Sequence, residues 1–423
     1  MTADTIFALS SGSPPAAVAV VRISGPGADP ALQTLVGRLP EARRASLARL
    51  TWQGALLDDA LVLRFPGPAS ATGEDVVELH LHGGRAVVAA VLSALAGVEG
   101  LRAAEPGEFT RRAFENGRID LAEAEGLADL LQAETETQRR AAQMLAGGAL
   151  SRLIGDWQSR LLQLAAGLEA VLDFSDEGEV GEEWPVGWSD GVEALAGEME
   201  AALARPAVER LKDGLRVVIA GPPNAGKSSL LNWLAGRQAA ITSAIAGTTR
   251  DLVEAPTAIG GTPFLLVDTA GLRDSDDQVE AIGVKRAKAS MEAADLILWL
   301  GPPEAAPPRS IMVQSKIDLQ PGEREADARV SAETGEGMDA LIALLIARGR
   351  DLLPGERDVG LNERHRSAIS VASEQLREAW ESQDLLIAAE CLRQARVALD
   401  RVTGRAGVEE MLDSLFGRFC IGK

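Results

Sequence analysis

The chain reads Gly221-Pro222-Pro223-Asn224-Ala225-Gly226-Lys227-Ser228 directly after the apolar run Leu215–Ala220. Residues 229–234 follow it with apolar side chains at helical spacing. This order predicts a strand, a phosphate-binding loop and a helix. In such a loop the glycines let backbone N–H groups face phosphate oxygens, Lys227 reaches the terminal phosphates, and Ser228 can ligate Mg²⁺. We therefore expect a nucleoside triphosphate site.

Two switch segments are predicted after the loop. Gly247-Thr248-Thr249 carries a threonine that can close over Mg²⁺ and the γ-phosphate. Asp268-Thr269-Ala270-Gly271 follows the apolar strand 263–267 and carries a metal-side aspartate and a glycine N–H for the γ-phosphate. Thr249 and Ser228 are therefore the predicted magnesium ligands.

Two later motifs predict which base the bound nucleotide carries. Ser315-Lys316-Ile317-Asp318 follows the apolar strands 296–300 and 311–314, and its aspartate can accept two hydrogen bonds from guanine N1 and N2. Ser331-Ala332-Glu333 follows a short strand and is expected to bring a backbone N–H near guanine O6. Adenine lacks that donor pair, so the sequence predicts guanine.

Four residues of this region raise questions of mechanism. GTPases usually carry Asn at the position of Ser315, so we expect a weaker tie between the base loop and the phosphate loop. Leu272 stands where Ras-like enzymes carry the glutamine that orients the attacking water. Glu280 either takes over that role or is an ordinary solvated carboxylate. Similarly, Asn224 either helps to ligate a monovalent cation or only fits the turn.

Further motifs lie on both sides of this region. They are Asp4-Thr5-Ile6, Val21-Arg22-Ile23-Ser24-Gly25, residues 72–78, His82-Gly83-Gly84, Pro106-Gly107-Glu108-Phe109-Thr110, Arg112-Ala113-Phe114, residues 120–125 and the closing Phe419-Cys420-Ile421-Gly422-Lys423. Ordinary small GTPases lack all of these. Together with the G motifs, they make the chain resemble the MnmE (TrmE) family of bacterial tRNA modification GTPases over its whole length.

The resemblance implies a homodimer that hydrolyses GTP in a potassium-dependent way, with the G domains meeting across the dimer. Asn224 matches the family's potassium-ligating asparagine, and Glu280 matches its catalytic glutamate. The loop 241–249 matches the potassium loop, with Ser243, Ile245 and Thr248 as further ligands. The residues then expected to contact GTP are Asn224, Ala225, Gly226, Lys227, Ser228, Ser229, Ser243, Ala244, Ile245, Ala246, Gly247, Thr248, Thr249, Asp268, Thr269, Ala270, Gly271, Ser315, Lys316, Ile317, Asp318, Ser331, Ala332 and Glu333.

The resemblance also implies the modification chemistry. With its flavoprotein partner MnmG, in a heterotetramer, the family installs an aminomethyl or carboxymethylaminomethyl group at C5 of the wobble uridine of certain tRNAs. The one-carbon unit comes from 5-formyl-tetrahydrofolate or a related tetrahydrofolate. Arg22, Glu78, Arg118 and Lys423 fall at the matching folate-binding positions, and Cys420 becomes a candidate catalytic residue. From the residues alone, Arg22 and Glu78 are equally read as paired strand charges, and Cys420 as a structural cysteine.

Composition bounds the remaining questions. A chain of 423 residues with 46% hydrophobic and 25% charged side chains is globular and has room for about three domains. Two cysteines and the lack of a long apolar run predict a cytoplasmic protein with no membrane contact. The net charge of −20 predicts that tRNA is held mainly by the partner. A local basic patch is the alternative, around Arg102, Arg111, Arg112 and Arg118, unless acids neutralise it.

The predicted architecture is multidomain, α/β plus all-α. A folate-binding-like α/β dimerisation domain is expected over 1–118 and helical regions over 119–209 and 351–423. Between the helical regions, a Ras-like G domain with a doubly wound sheet is expected as an insertion over 210–350. The acidic segment 173–183 is predicted to be an exposed connection.

One other function fits the G motifs, and a second does not. A regulatory G-protein switch, such as a ribosome assembly factor, would bind GTP and modify no substrate. A scaffold with a degenerate nucleotide site is disfavoured because Lys227, Ser228, Thr249 and Asp268 are all present.

Overall fold

A computed structural model describes residues 4–175, 184–237, 253–268, 288–319, 325–355, 358–406, 409–417 and 419–422. The chain divides into two compact units, Met1–Ala128 with Asp400–Lys423 and Asp129–Leu399. The described strands are β1 Thr5–Leu9, β2 Val18–Ser24, β3 Ser46–Trp52, β4 Ala55–Phe65, β5 Val76–His82, β6 Leu101–Ala103, β7 Leu215–Ala220, β8 Val253–Ile259, β9 Thr262–Asp268, β10 Leu296–Trp299, β11 Ser310–Gln314 and β12 Ala328–Arg329. The described helices are α1 Ala28–Val36, α2 Arg85–Ala96, α3 Glu108–Glu115, α4 Leu121–Gln132, α5 Glu136–Ala146, α6 Ala149–Ser175, α7 Trp188–Leu203, α8 Glu209–Asp213, α9 Lys227–Arg237, α10 Met338–Arg350, α11 Glu363–Glu381, α12 Leu385–Thr403 and α13 Glu409–Phe416.

The first unit is built on a mixed sheet with strand order β3-β4-β5-β2-β1-β6. Neighbouring strands are antiparallel except β1 and β6, which run parallel. Strand residues alternate between the two faces, and one set packs with the apolar stripes of α1 and α2 into a core. Leu32, Leu35, Val91 and Leu95 are fully buried there. This is the α/β unit that the sequence predicts.

The last helix belongs to the same unit. α13 packs on α3, and Phe416 and Phe419 join Leu121 and Ala124 in a second apolar cluster. The rings of Phe416 and Phe419 lie 6.1 Å apart, a separation typical of favourable aromatic pairs.

The second unit contains the predicted doubly wound sheet, with strand order β12-β11-β10-β7-β9-β8. β7, β9, β10, β11 and β12 are parallel, and only the β8–β9 hairpin is antiparallel. Val217, Val218 and Ile219 on the central strand are fully buried, as expected for a strand covered on both faces. Because parallel strands end at one edge, the loops after β7, β11 and β12 meet there beside Asp268, the last residue of β9, and ligands of such sheets bind at that edge.

Helices from the predicted helical regions before and after the G domain pack together. α7 packs along α11, and Arg366 Nη1 donates to the Arg205 carbonyl at 3.1 Å. α6 buries an apolar stripe, since Leu150, Ile154 and Trp157 are at most 1% exposed. α6 continues through Ser175, so the connection predicted to begin at residue 173 starts later. No helix in the described ranges has the length and hydrophobicity needed to cross a membrane.

Candidate functional site

The phosphate loop has the curled backbone that its glycines predict. Gly221, Asn224 and Gly226 have φ angles of +150°, +60° and +90°, and α9 begins at the next residue, Lys227. Lys227 is 7% exposed, and its Nζ donates to the carbonyls of Gly221 and Pro222 at 3.1 and 2.9 Å. The ammonium group therefore lies over the loop, beside the N-terminus of a helix that favours anions.

The predicted metal side of the site is assembled from two elements. Ser228 Oγ at the start of α9 donates to Asp268 Oδ2 at the end of β9, at 2.6 Å. Asp268 is 4% exposed, and β9 lies beside β7 with Ile219 opposite Asp268. A hydroxyl and a carboxylate are hard oxygen donors of the kind Mg²⁺ prefers, so the residues fit this ion.

Five of the seven predicted base-recognition residues, all except Ile317 and Ser331, line a single cavity of about 350 Å³ beside the phosphate loop. Its lining consists of Gly226, Ser229, Leu230, Ser315, Lys316, Asp318, Leu319, Val330, Ala332 and Glu333. Ser331 is fully buried, and its Oγ accepts from the Thr334 amide at 3.1 Å, which shapes the turn behind Ala332. Sequence motifs that are about 90 residues apart in the chain thus meet around one space.

Two hydrogen bonds join the base loop to the phosphate loop. Ser315 Oγ donates to the Ala225 carbonyl at 2.5 Å, and Lys316 Nζ donates to the Asn224 carbonyl at 2.7 Å. The serine hydroxyl is long enough to make the tie because the loops after β7 and β11 approach at the same sheet edge. The two loops are therefore joined, and the prediction that Ser315 joins them more weakly than an asparagine would stays a prediction.

Several predicted residues lie outside the described residues. They are Ser243, Ala244, Ile245, Ala246, Gly247, Thr248, Thr249, Thr269, Ala270, Gly271, Leu272, Glu280 and Lys423. The potassium loop, the catalytic glutamate and the second magnesium ligand stay predictions.

In the first unit, two of the predicted folate-binding residues bond to each other. Arg22 on β2 is opposite Glu78 on β5, and its Nε and Nη2 donate to Glu78 Oε1 at 3.0 and 2.8 Å. The second oxygen, Oε2, lies 3.4 Å from His80 Nε2. The Arg22 guanidinium also lies 5.7 Å from the Phe109 ring centroid, within cation–π range. The paired-charge interpretation of Arg22 and Glu78 thus describes this arrangement, while Arg118 is exposed.

Comparison with protein families decides the identity of the chain. The TrmE N-terminal family model matches residues 5–118, and the MnmE helical-domain model matches residues 121–420. The chain belongs to the MnmE family. A "tRNA modification GTPase MnmE" of Erythrobacter litoralis is 58% identical over 99% of this chain and 100% of its own length. Another, from Rhizorhabdus wittichii, is 60% identical over 99% of this chain and 97% of its own.

Among solved structures, the G domain of the T. maritima FeoB iron transporter matches at 22% identity with a TM-score of 0.24. It covers 32% of this chain and 98% of that one. The MnmE assignment does not depend on this likeness.

The arginines considered as an RNA-binding patch on this MnmE chain are mostly neutralised. Arg102 and Arg112 both bond to Glu108, Arg112 also bonds to Glu74 and Asp4, and Arg111 bonds to Glu115 and Asp413. Burial acts to raise the pKa of Glu108, but hydrogen bonds from Arg102, from the Glu105 amide and from Arg112 outweigh it and lower that pKa. Within the described residues, only Arg118 of the four forms no ion pair with a carboxylate, so the alternative of a free basic patch loses its support.

The two cysteines of this MnmE chain differ in environment. Cys391 on α12 is 3% exposed, and its burial raises the pKa of its thiol. Cys420 is exposed and follows the buried Phe419. Thiol chemistry is therefore open to Cys420 alone, because a buried neutral thiol is a poor nucleophile.

Two residues that sequence reasoning missed make long-range contacts. Gln138 accepts from the Thr135 amide through Oε1, at 2.9 Å, and donates through Nε2 to the Leu211 and Lys212 carbonyls before β7. Ser10 bonds to Gly422. The T-x-x-Q spacing at Thr135 predicts only a helix cap. Nothing in the sequence indicates the long-range contacts of Gln138 or of Ser10.

Proposed function

We propose that the chain is a potassium-activated GTP hydrolase which, with the flavoprotein MnmG, modifies C5 of the wobble uridine of certain tRNAs. The product carries an aminomethyl or carboxymethylaminomethyl group, and formyl-tetrahydrofolate supplies the one-carbon unit. The proposed assembly is a cytoplasmic homodimer joined to MnmG in a heterotetramer. The observation that carries the hydrolase part is the contact of Ser228 with Asp268 beside Lys227, in a chain of the MnmE family.

The phosphate side acts by positioning charge. Lys227 and the loop amides bind the β- and γ-phosphates, and Ser228 with Thr249 would hold Mg²⁺ beside Asp268. Bound there, Mg²⁺ neutralises negative charge on the phosphates. Asn224, with Ser243, Ile245 and Thr248, would hold K⁺ in the place where other GTPases use an arginine finger.

Water activation is assigned to Glu280. Leu272 cannot hydrogen-bond to water, so a carboxylate that accepts a water proton is needed near the γ-phosphate. Asp318 selects guanine by accepting from N1 and N2, while Ser315 and Lys316 hold its loop against the phosphate loop.

The folate assignment rests on the Arg22–Glu78 pair. A carboxylate of the ligand can take a guanidinium edge of Arg22, and an amino edge of the pterin can donate to Glu78. Arg118 and Lys423 are proposed to add positive charge. The pairing orients both strand side chains before the ligand binds.

The partner is proposed to carry most of the tRNA contact. A net charge of −20 opposes binding to a phosphate backbone, and three of the four clustered arginines are paired with carboxylates. A basic surface on MnmG would supply what this chain lacks.

The first experiment measures GTP turnover in matched KCl and NaCl buffers. We expect potassium stimulation that is lost in Asn224→Ala, and turnover that is abolished in Glu280→Ala. Asn232→Ala and Glu292→Ala, two exposed positions of the same residue types, serve as matched controls. Equal turnover in both salts contradicts the potassium site.

The second experiment tests the modification. The protein, MnmG, tRNA, GTP and a tetrahydrofolate labelled at its one-carbon unit are incubated, and label at the wobble uridine is measured by mass spectrometry. Incorporation that falls in Arg22→Ala and Glu78→Gln supports the folate assignment. GTP turnover without any incorporation favours the regulatory switch.

A further inference from the structure

The segment Phe419–Gly422 is held against the first strand of the N-terminal unit. Ser10 Oγ donates a 2.7 Å hydrogen bond to the Gly422 carbonyl, across 412 positions of sequence. Ser10 is itself anchored, because its amide donates to the Val20 carbonyl at 2.7 Å. Ile421 forms an antiparallel bridge with Pro106. Contacts on both sides of the segment thus give it a defined register.

Two glycines permit an approach that other residues would block. Gly422 has φ of +97°, and a Cβ there would lie 2.1 Å from the Leu9 carbonyl oxygen. Gly107 has φ of +70°, and a Cβ there would lie 2.3 Å from the Phe416 carbonyl oxygen. Real Cβ atoms do not come this close, and positive φ strains other residues, so both contacts require glycine. Such contacts are a sign of specific docking.

The residue after the exposed Cys420 pairs with a segment that contacts one predicted folate-binding residue, Arg22. Cys420 lies between the buried Phe419 and the bridged Ile421. The segment that receives the bridge, Pro106 to Phe109, is also the one that contacts Arg22 through its Phe109 ring. One short segment therefore touches both the docked residues and Arg22.

We propose that Ser10 is a positioning residue that holds Phe419–Gly422 docked and thereby fixes the Cys420 thiol for the one-carbon chemistry. The role of the thiol rests on the proposed function, in which Cys420 is the candidate catalytic residue that the family resemblance implies. Its structural part, the docking through Ser10, stands on the contacts alone. Loss of one intramolecular hydrogen bond shifts such a docking equilibrium roughly 2–10-fold.

The test attaches a nitroxide label to Cys420 and reads its mobility from the spectral line shape. Cys391 is buried and stays unlabelled in the native protein. We expect a more mobile label in Ser10→Ala and in Gly422→Ala. Ser10→Thr, which keeps a hydroxyl, and Ser93→Ala, at an exposed serine on α2, should match the parent protein.

Unlabelled variants are compared in the modification assay. Ser10→Ala should lower transfer of the isotopically labelled carbon to tRNA roughly 2–10-fold and leave GTP turnover unchanged, with recovery in Ser10→Thr. An unchanged mobility of the nitroxide in both Ser10→Ala and Gly422→Ala overturns the role of Ser10 in docking the segment. Raised mobility with undiminished transfer overturns the positioning of Cys420. If the parent protein transfers no carbon, the proposed function is wrong, and mobility alone decides whether Ser10 holds the segment.

Discussion

Ser315 Oγ donates a 2.5 Å hydrogen bond to the carbonyl oxygen of Ala225, which joins the base loop to the phosphate loop. Ser315 directly follows β11, and Ala225 lies between β7 and α9. The hydroxyl group occupies the role that a carboxamide has in other GTPases, with Lys316 adding a second bond to Asn224. The substitution therefore preserves the connection and does not abolish it.

Removing this hydroxyl should weaken guanine nucleotide binding. Ser315→Ala leaves the Ala225 carbonyl without this donor, and a typical net hydrogen bond of about 0.5–1.5 kcal/mol predicts a roughly 2–10-fold higher Kd for GDP. Titration with a fluorescent GDP measures it. Ser315→Asn should retain the parent affinity. A Kd for Ser315→Ala that equals the parent value would show that the bond contributes nothing to binding.

Asp318→Asn should change base preference. The substitution replaces a carboxylate oxygen, which accepts hydrogen bonds, by an amide NH₂ group, which donates them. The new donor suits the 2-oxo group of xanthine and opposes the 2-amino group of guanine. A bidentate contact to a base contributes about 1–3 kcal/mol, so GDP affinity should fall roughly 5–150-fold relative to XDP. Competition between GDP and XDP measures the ratio. Asp351→Asn, at an exposed aspartate after α10, is the control and should leave the ratio unchanged.

Ser228→Ala should raise the Mg²⁺ requirement of GTP turnover. The variant removes the hydroxyl that lies 2.6 Å from Asp268 and is predicted to bind the ion. Loss of a ligand or its support typically costs about 10–100-fold in metal affinity. A Mg²⁺ titration of turnover, started from EDTA-treated protein, reports the midpoint. Ser228→Thr keeps the oxygen and should restore it; an unchanged midpoint in Ser228→Ala would remove Ser228 from the ligand set.

Glu108 should make the first unit sensitive to acid. Its folded pKa lies below the ordinary value of 4.5, so its contribution to stability is present above about pH 4.5 and is lost as the pH falls through the lowered pKa. Glu108→Gln should therefore lower the Tm at pH 7, and the difference from the parent should shrink below pH 4.5. Calorimetry at a series of pH values measures this. Glu105→Gln, at an exposed neighbour, is the control.

A constant Tm difference between Glu108→Gln and the parent protein from pH 7 to pH 3 would contradict this assignment. It would mean that Arg102 and Arg112 do not hold the Glu108 carboxylate more strongly in the folded state than water does in the unfolded chain. The Arg102 side chain is 43% exposed, whereas those of Arg112 and Glu108 are 10% and 11% exposed. Arg112 and Glu108 therefore carry most of the buried charge.

Local patterns were sufficient for the elements of the G domain. The apolar runs at 215–220, 263–267 and 311–314 all became strands, because a strand covered on both faces must be continuously apolar. The glycines of the phosphate loop likewise required positive φ angles, which only glycine adopts at low cost. The apolar stripe of α6 became its buried face for the same reason of periodicity.

The ion-pair partners of the charged side chains could not be predicted from the sequence. Arg102, Arg111 and Arg112 look like a basic patch in one dimension, and the fold brings a carboxylate to each of them. Arg22 and Glu78 are 56 positions apart, and only the β2–β5 register places them opposite each other. Ionic partners are set by strand register and helix packing, which a charge pattern does not encode.

By itself, the sequence determined the strands and the nucleotide loop of the G domain and the resemblance to the family, because these depend on residue types and their spacing in local motifs. The tertiary structure alone decided that Ser315 reaches Ala225, that three of the four clustered arginines pair with carboxylates, and that Ser10 holds Gly422. Each of those contacts joins residues from distant parts of the chain. Their distance depends on how whole elements pack, and a hydrogen bond forms only when that packing brings donor and acceptor within about 3 Å.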